Sequence, residues 1–297
     1  MLALYTQIGP WNIPTFRLTV GIAIVLSLLI GLYRQQPRGR LADIYLGALV
    51  LGIIGARAFH VALNWDYFTD NQAEIWVIGA GGLDWHGAVL GGLLGIALVR
   101  WLQSGLRILL NQFHIKKLLS LLPLYHEIER GLGGEDFSSQ TRDPSFNRLL
   151  DSLTPALPLI GLGGWIGCLA AGCGYGREVD SLANYPRWMT SELVDVFGIV
   201  APRFNIPYFG IGLCLLGLFV VLISTLWRWR SPTIQPTGER FWWLLALMSV
   251  GMFIIGFYRA DHSFIFYGLR TDQILDVIIS LWGVIAALRL HKRSATR

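Results

Sequence analysis

Seven long apolar stretches dominate the chain, at about 15–33, 44–63, 87–99, 153–171, 206–226, 241–257 and 274–290. None alternates polar with apolar residues as a barrel strand does. In lipid the backbone must satisfy its own hydrogen bonds, so such runs are read as helices, each needing about 20 residues to span. The 87–99 run is short for a full span. Only 14% of the 297 residues are charged, against about 25% in soluble domains. The expected fold is all-α: one integral membrane domain over 1–297, a polytopic helical bundle of about seven transmembrane helices.

The 100–150 segment differs in character. It holds Arg107, Lys116, Lys117, Arg130, Arg142 and Arg148. Leu106, Leu109, Leu110 and Phe113 recur at helical spacing, which suggests a helix on a membrane surface. A polar stretch with Gly, Ser and Pro follows over 131–147 and reads as a mobile loop. Residues at about 103–148 are thus expected to form a cytoplasmic insertion. The N-terminus lacks a basic n-region, so the first run is expected to remain as an anchor.

Basic residues set the orientation. Of 24 Lys and Arg, 17 fall in the loop at 33–43, the segment 100–150, the loop at 227–240 and the C-terminal end. Five fall on the other face: Arg177, Arg187, Arg203, Arg259 and Arg270. The positive-inside bias then puts the N-terminus outside and the C-terminus in the cytoplasm. The net charge of +5 is spread over short loops rather than gathered in a patch, which argues against nucleic acid as a partner. Of the three cysteines, Cys168 and Cys173 lie five apart in or near one predicted helix. That spacing puts them on different helix faces, too far apart to bridge while the helix persists. No zinc-ligand spacing is present, and no metal or cofactor is expected.

Candidate chemistry gathers at the face expected to lie outside. Asp84-Trp85-His86 stands directly before Gly87, Gly91 and Gly95, whose four-residue repeat leaves one helix face nearly bare for close approach of a neighbour. Arg57 and His60 lie one turn apart in the second span, and Arg177, Arg259, Asp261 and His262 lie near the same interface. Guanidinium groups at one leaflet suit an anionic ligand, a lipid phosphate above all. Plainer readings stand beside this one. His86 is a satisfied interfacial histidine, Arg57 pairs with Asp84, Asp151 or Asp261, and Arg259 snorkels from a span end. The glycines from Gly161 to Gly176 give close packing and then a break at Gly172, Gly174 and Gly176. The break is either a flexible helix end or the wall of a polar cavity.

Asp84-Trp85-His86-Gly87, Gly55-Ala56-Arg57, Asp151 through Gly176-Arg177, and Phe257-Tyr258-Arg259 occur in an order that resembles the prolipoprotein diacylglyceryl transferase family. The resemblance covers most of the chain outside the insertion. It implies a bacterial cytoplasmic-membrane enzyme, multi-pass, that moves diacylglyceryl from phosphatidylglycerol to the lipobox cysteine thiol of a preprolipoprotein, releasing glycerol phosphate. The partners implied are phosphatidylglycerol and the prolipoprotein signal peptide, with no cofactor. It further implies His86 and Arg259 as catalytic residues and Arg57, Asp151, Gly176 and Arg177 as substrate-binding ones. Arg57, His86, Arg177 and Arg259 are then expected to converge on one cavity.

The sequence also departs from the family. Trp165 stands where the family has an arginine, and Cys168 and Cys173 where many members have Asn and Glu. Phe16 replaces a Tyr and Ile255 a Glu. These departures keep a second reading in view, a non-catalytic lipid-binding or membrane-assembly paralogue with the same fold. Broken helices also suit a transporter, but no internal repeat is visible. The charge split makes a direct prediction. A cysteine placed at Gln140 should be labelled by an impermeant maleimide only after the inner face is opened; labelling of intact cells would reverse the topology.

Overall fold

The computed structural model of the protein describes residues 4–8, 10–34, 38–77, 82–112, 146–195, 197–230, 237–261 and 263–295. Most of the expected insertion, including Phe113 and residues 131–145 of the expected loop, lies outside the described residues, as does His262; Phe146 and Asn147, expected to end that loop, begin a helix instead. Among the described residues, seven helices are long and apolar enough to cross a membrane: Thr15–Tyr33, Leu41–Leu63, Trp85–Gly105, Leu149–Ala171, Ile206–Arg230, Glu239–Gly256 and Thr271–Arg293. The polytopic helical bundle expected from the apolar runs is therefore present. Large apolar side chains such as Ile54, Leu94, Phe219 and Ile278 are exposed along these helices, as suits helices surrounded by lipid. The chain divides into two compact units, Leu32–Pro144 and the remainder.

The Leu32–Pro144 unit is a helix pair, α2 (Arg38–Leu63) and α4 (Trp85–Gln112), joined through the short α3 (Trp65–Asp70) and a 3-10 turn at Gln72–Trp76. Glycines make its seam. A methyl group on Gly87 would overlap the Gly55 carbonyl, one on Gly91 the Leu51 carbonyl, and one on Gly95 the Gly47 carbonyl. The two backbones touch because no side chain intervenes, the small-residue packing by which helices associate in lipid.

In the other unit a hairpin of β1 (Tyr5–Ile8) and β2 (Trp11–Pro14) leads into α1 (Thr15–Arg34). Then follow α5 (Phe146–Leu153), α6 (Ala156–Ala171), α7 (Ile206–Arg230), α8 (Glu239–Gly256) and α9 (Thr271–Ala295). The prolines that interrupt the fourth apolar run divide α5 from α6. Pro155 caps α6 and Pro158 falls in its first turn, where no intrahelical donor is lost. Gly163 and Gly167 seat α6 on Ala23, Thr19 and Phe16 of α1. Cys214 and Val221 of α7 and Leu244 and Met248 of α8 form a buried core against which Leu157, Leu162 and Trp165 pack.

Three short strands follow α6, which the apolar runs did not reveal. The β3 (Tyr175–Glu178), β4 (Thr190–Val194) and β5 (Val200–Asn205) strands form an antiparallel sheet in the order β3-β5-β4. Pro202 sits in the central strand. It has no N–H to give, and the β3–β5 register shifts beside it, between Tyr175 and Glu178. A second hairpin, β6 (Ile265–Phe266) and β7 (Leu269–Arg270), precedes α9.

One expectation is overturned. Cys168 and Cys173 form a disulfide, with Cα atoms 4.9 Å apart. The argument against a bridge assumed that the helix persists, and it does not. α6 ends at Ala171, Gly172 turns left-handed at φ 69°, and the Cys173 N–H donates back to the Cys168 carbonyl at 3.0 Å. This glycine-terminated turn swings Cys173 back over the last helical turn.

The seam makes a matched pair of substitutions informative. Gly91→Ala must push α2 from α4 and should cost about 1–3 kcal/mol. Gly105→Ala, on the same helix with open space around it, should be neutral or stabilising by up to about 1 kcal/mol. Denaturation of the detergent-solubilised protein, followed by tryptophan fluorescence, separates them; equal effects would mean the seam is not in contact.

Candidate functional site

Two groups of polar residues emerge, one in each unit. In the helix pair, Arg57 is 8% exposed, so its charge must be met by oxygens. Its Nε donates to the Ile75 carbonyl at 2.9 Å, and its terminal nitrogens donate to the carbonyls of Gly82 at 3.1 Å and Glu74. Phe68 lies against the same guanidinium, 5.2 Å away. Arg57 thus anchors the segment between α3 and α4. Gly82 is required there. Its φ is +70°, and a Cβ would come within 2.6 Å of the His60 ring and 2.7 Å of Arg57 Nη1. The Asp84 N–H donates to the Ala56 carbonyl at 3.0 Å, which fixes the loop beside the same turn of α2.

That loop delivers His86. Asp84 accepts from the Gly87 N–H at 3.0 Å, a side-chain cap on the first turn of α4. Its two carboxylate oxygens lie 3.1 and 3.2 Å from His86 Nδ1. Burial pushes the Asp84 carboxyl up, but the hydrogen bond and charge of His86 and the backbone N–H groups outweigh it. The carboxyl titrates below its ordinary range. With Asp84 ionised, Nδ1 carries a proton and donates it to the carboxylate. His86 is 1% exposed, and the Trp85 ring lies 4.5 Å from its own.

In the other unit the structure brings Gly176, Arg177 and Arg259 together. Gly176 pairs with Arg259 in an isolated antiparallel bridge, and the Arg177 N–H donates to the Tyr258 carbonyl at 2.8 Å. Gly176 is buried, and a Cβ there would stand 2.9 Å from the Tyr258 carbonyl and 2.5 Å from the Phe204 carbonyl. Glycine permits this contact by having no side chain. The Arg177 side chain is exposed and has no hydrogen-bond or ion-pair partner among the described residues. The Arg259 guanidinium is engaged. Its Nε donates to Asp261 at 2.9 Å, Nη2 meets the same carboxylate at 2.5 Å, and Nη1 lies 3.5 Å from Asp272. Arg270 joins the network, 3.4 Å from Asp261 and 3.0 Å from Asp272. Burial would raise the Asp261 carboxyl, but the hydrogen bond to Arg259 and the two guanidinium charges hold it below its ordinary range.

Asp151 is not part of this group. It pairs with Arg228 at 3.3 Å, at the start of the α5–α6 pair and the end of α7. The length of α6, roughly 24 Å at 1.5 Å per residue, separates it from the turn that carries Arg177. Trp165 is also placed by packing. Its indole fills the space over Gly210 of α7 and borders the buried core. Sequence reading missed the Arg203 cluster, in which a buried guanidinium meets Glu178 at 2.6 Å and Asp195 at 3.0 Å. These partners sit 25 and 8 residues away in sequence, and only the unseen strand pairing brings them close.

The chain was compared with known proteins by sequence. The family profile described as prolipoprotein diacylglyceryl transferase matches residues 3–114 and 137–289. A phosphatidylglycerol–prolipoprotein diacylglyceryl transferase of Streptococcus mutans is 27% identical over 289 residues, covering 94% of this chain and 91% of the relative. Proteins of the same name from Lysinibacillus sphaericus and Streptococcus pneumoniae are 25% and 26% identical, covering 95% and 97% of this chain and 88% and 94% of theirs. The match runs through both units, and the chain belongs to the prolipoprotein diacylglyceryl transferase family.

Proposed function

We propose that this protein transfers diacylglyceryl from phosphatidylglycerol to a prolipoprotein's lipobox cysteine at the outer leaflet. The thiol sulfur attacks the glyceryl carbon that bears the phosphate ester. The carbon–oxygen bond breaks, and glycerol phosphate leaves with the bonding pair. His86 Nε2 takes the thiol proton, with Asp84 holding the ring and stabilising the imidazolium that forms. Arg177 receives the phosphate, and Arg259 steadies the charge that develops on the leaving oxygen. Arg57 acts by holding the loop that delivers His86. The observation that carries this reading is the Asp84–His86 pair: a buried imidazole oriented by a carboxylate is the arrangement a general base needs. The Cys168–Cys173 disulfide supports the orientation, because disulfides persist on the outer side of a bacterial cytoplasmic membrane. It lies at the helix ends opposite the basic loops.

A lipid-binding protein without transfer is the second reading, favoured by the network around Arg259. All three guanidinium nitrogens already face carboxylates, and a phosphate must compete with Asp261 and Asp272. An assay of the purified protein with phosphatidylglycerol and a lipobox peptide decides. His86→Gln should lower turnover by about 10²–10⁴-fold. Arg177→Ala should lower it by about one to two decades, the loss of one charge-assisted contact. Trp165→Arg should not raise turnover, since the new charge would be forced against Gly210. A wild-type protein that binds phosphatidylglycerol but shows no turnover leaves the second reading.

Acid should act late. Asp84 and Asp261 titrate below the ordinary carboxylate range, so their pairings contribute fully above about pH 4. That contribution is lost as pH falls through the lowered native values. Thermal stability should therefore be level between about pH 5 and 7 and decline below about pH 4. A decline that begins near neutrality would contradict these pairings.

A further inference from the structure

The basic residues expected on one face divide into two kinds. Arg203, Arg259 and Arg270 are tied to carboxylates. Arg177 and Arg187 are exposed, with no hydrogen-bond or ion-pair partner among the described residues. Arg177 has a place in the proposed reaction; Arg187 has none. The Met189 N–H donates to the Pro186 carbonyl at 2.8 Å, closing a turn with Arg187 and Trp188 at its two central positions. The turn is held from behind, where the Asn205 N–H donates to the Met189 carbonyl at 2.8 Å. Trp188 is 57% exposed, yet its ring is placed: it stands edge-on to Phe209, centroid to centroid 6.0 Å. Phe209 lies in the first turn of α7, where the Ile206–Arg230 span begins. From that turn an exposed stripe of Tyr208, Leu215 and Phe219 follows at helical spacing. The turn at 186–189 is therefore fixed beside the point where a lipid-facing helix enters the bilayer. An indole suits the depth of the lipid head groups, apolar on one side and wet on the other. A guanidinium beside it, with no carboxylate to neutralise it, is complementary to phosphate.

We propose that the turn at 186–189 is a head-group site for an anionic phospholipid, at the leaflet where α7 begins. Arg187 donates to the lipid phosphate. Trp188 lies against the glycerol and the top of an acyl chain, with Phe209 behind it. A zwitterionic lipid carries the same phosphate, but its ammonium offsets the charge, so the site favours lipid of net negative charge. The rings also lead toward Arg177. Phe209 lies 5.6 Å from the Tyr258 ring, and the Tyr258 carbonyl accepts the Arg177 N–H. Lipid held at the turn is thus stored beside the residue to which the proposed reaction gives the phosphate. That last step rests on the proposed function; the binding site does not.

The test uses the full chain in phosphatidylcholine nanodiscs doped with a phosphatidylglycerol that carries a diazirine at the top of one acyl chain. No acceptor peptide is present, so binding is read apart from transfer. After irradiation, adducts are mapped by peptide mass spectrometry. The expected adduct falls within 185–189. Unlabelled phosphatidylglycerol displaces it, and added phosphatidylcholine or glycerol phosphate does not. Arg187→Gln should lower its yield about fivefold, the preference that one basic residue gives at an anionic surface, and Arg187→Lys should keep most of it. Trp188→Ala should lower it likewise, while Trp188→Phe, which keeps a ring against Phe209, should keep most of it. Added salt should lower the wild-type yield and leave the Arg187→Gln yield nearly unchanged. An adduct in a protein without turnover upholds this site and counts against the transfer reaction. Displacement by glycerol phosphate overturns the lipid and leaves a small-anion site. The proposal also fails if phosphatidylcholine competes equally, or if Arg187→Gln is labelled as strongly as wild type.

Discussion

A guanidinium among apolar helices must be surrounded by oxygen, and much of the irregular structure here answers that demand. Removing one ion from water costs several kcal/mol even after relaxation. Arg57 meets it with three backbone carbonyls from the segment between α3 and α4. Arg203 meets it with Glu178 and Asp195, and Arg259 and Arg270 share Asp261 and Asp272. At the other helix ends Arg228 takes Asp151, while Arg240 donates to Ser224 and Thr225 at 2.9 Å. The loops are shaped by the arginines they serve. The same requirement gives the site its fixed geometry, because a loop that satisfies a buried charge cannot relax without exposing it.

The helices were legible in sequence because a span needs only length and apolarity, both read locally. The seven runs lie within or nearly within the observed spans, and the four-residue glycine repeat marked the α2–α4 seam correctly. The strands were not legible. Each of β3, β4 and β5 is at most six residues long, and a proline such as Pro202 is not a residue that marks a central strand. The disulfide was misjudged for a related reason. The glycines at 172 and 174 were read as a break, yet the cysteine geometry was reasoned as though the helix continued through them.

The candidate site was legible as a set of residue types and less so as a set of contacts. Arg177 and Arg259 were expected near each other, and Gly176 joins them by a backbone bridge. Asp151 was grouped with them from family order alone, although it opens the span whose far end carries Arg177. Asp84 was read as part of a motif and as a partner for Arg57, not as the partner of His86. Its place two residues before His86, at the mouth of a helix, was the available signal: an acid there can cap the helix and hold the ring at once.

The α2–α4 seam has a consequence for how this fold stores information. Most helix pairs are specified by what their side chains are, and many combinations of shape fill a given gap. Here the interface is specified by what is missing. At Gly55, Gly87, Gly91 and Gly95 the alphabet shrinks to one letter, while a few ångströms away the lipid-facing positions accept almost any apolar residue. Little of the chain is needed to write this half of the bundle. A single methyl group at any one of the four positions is enough to force the two backbones apart.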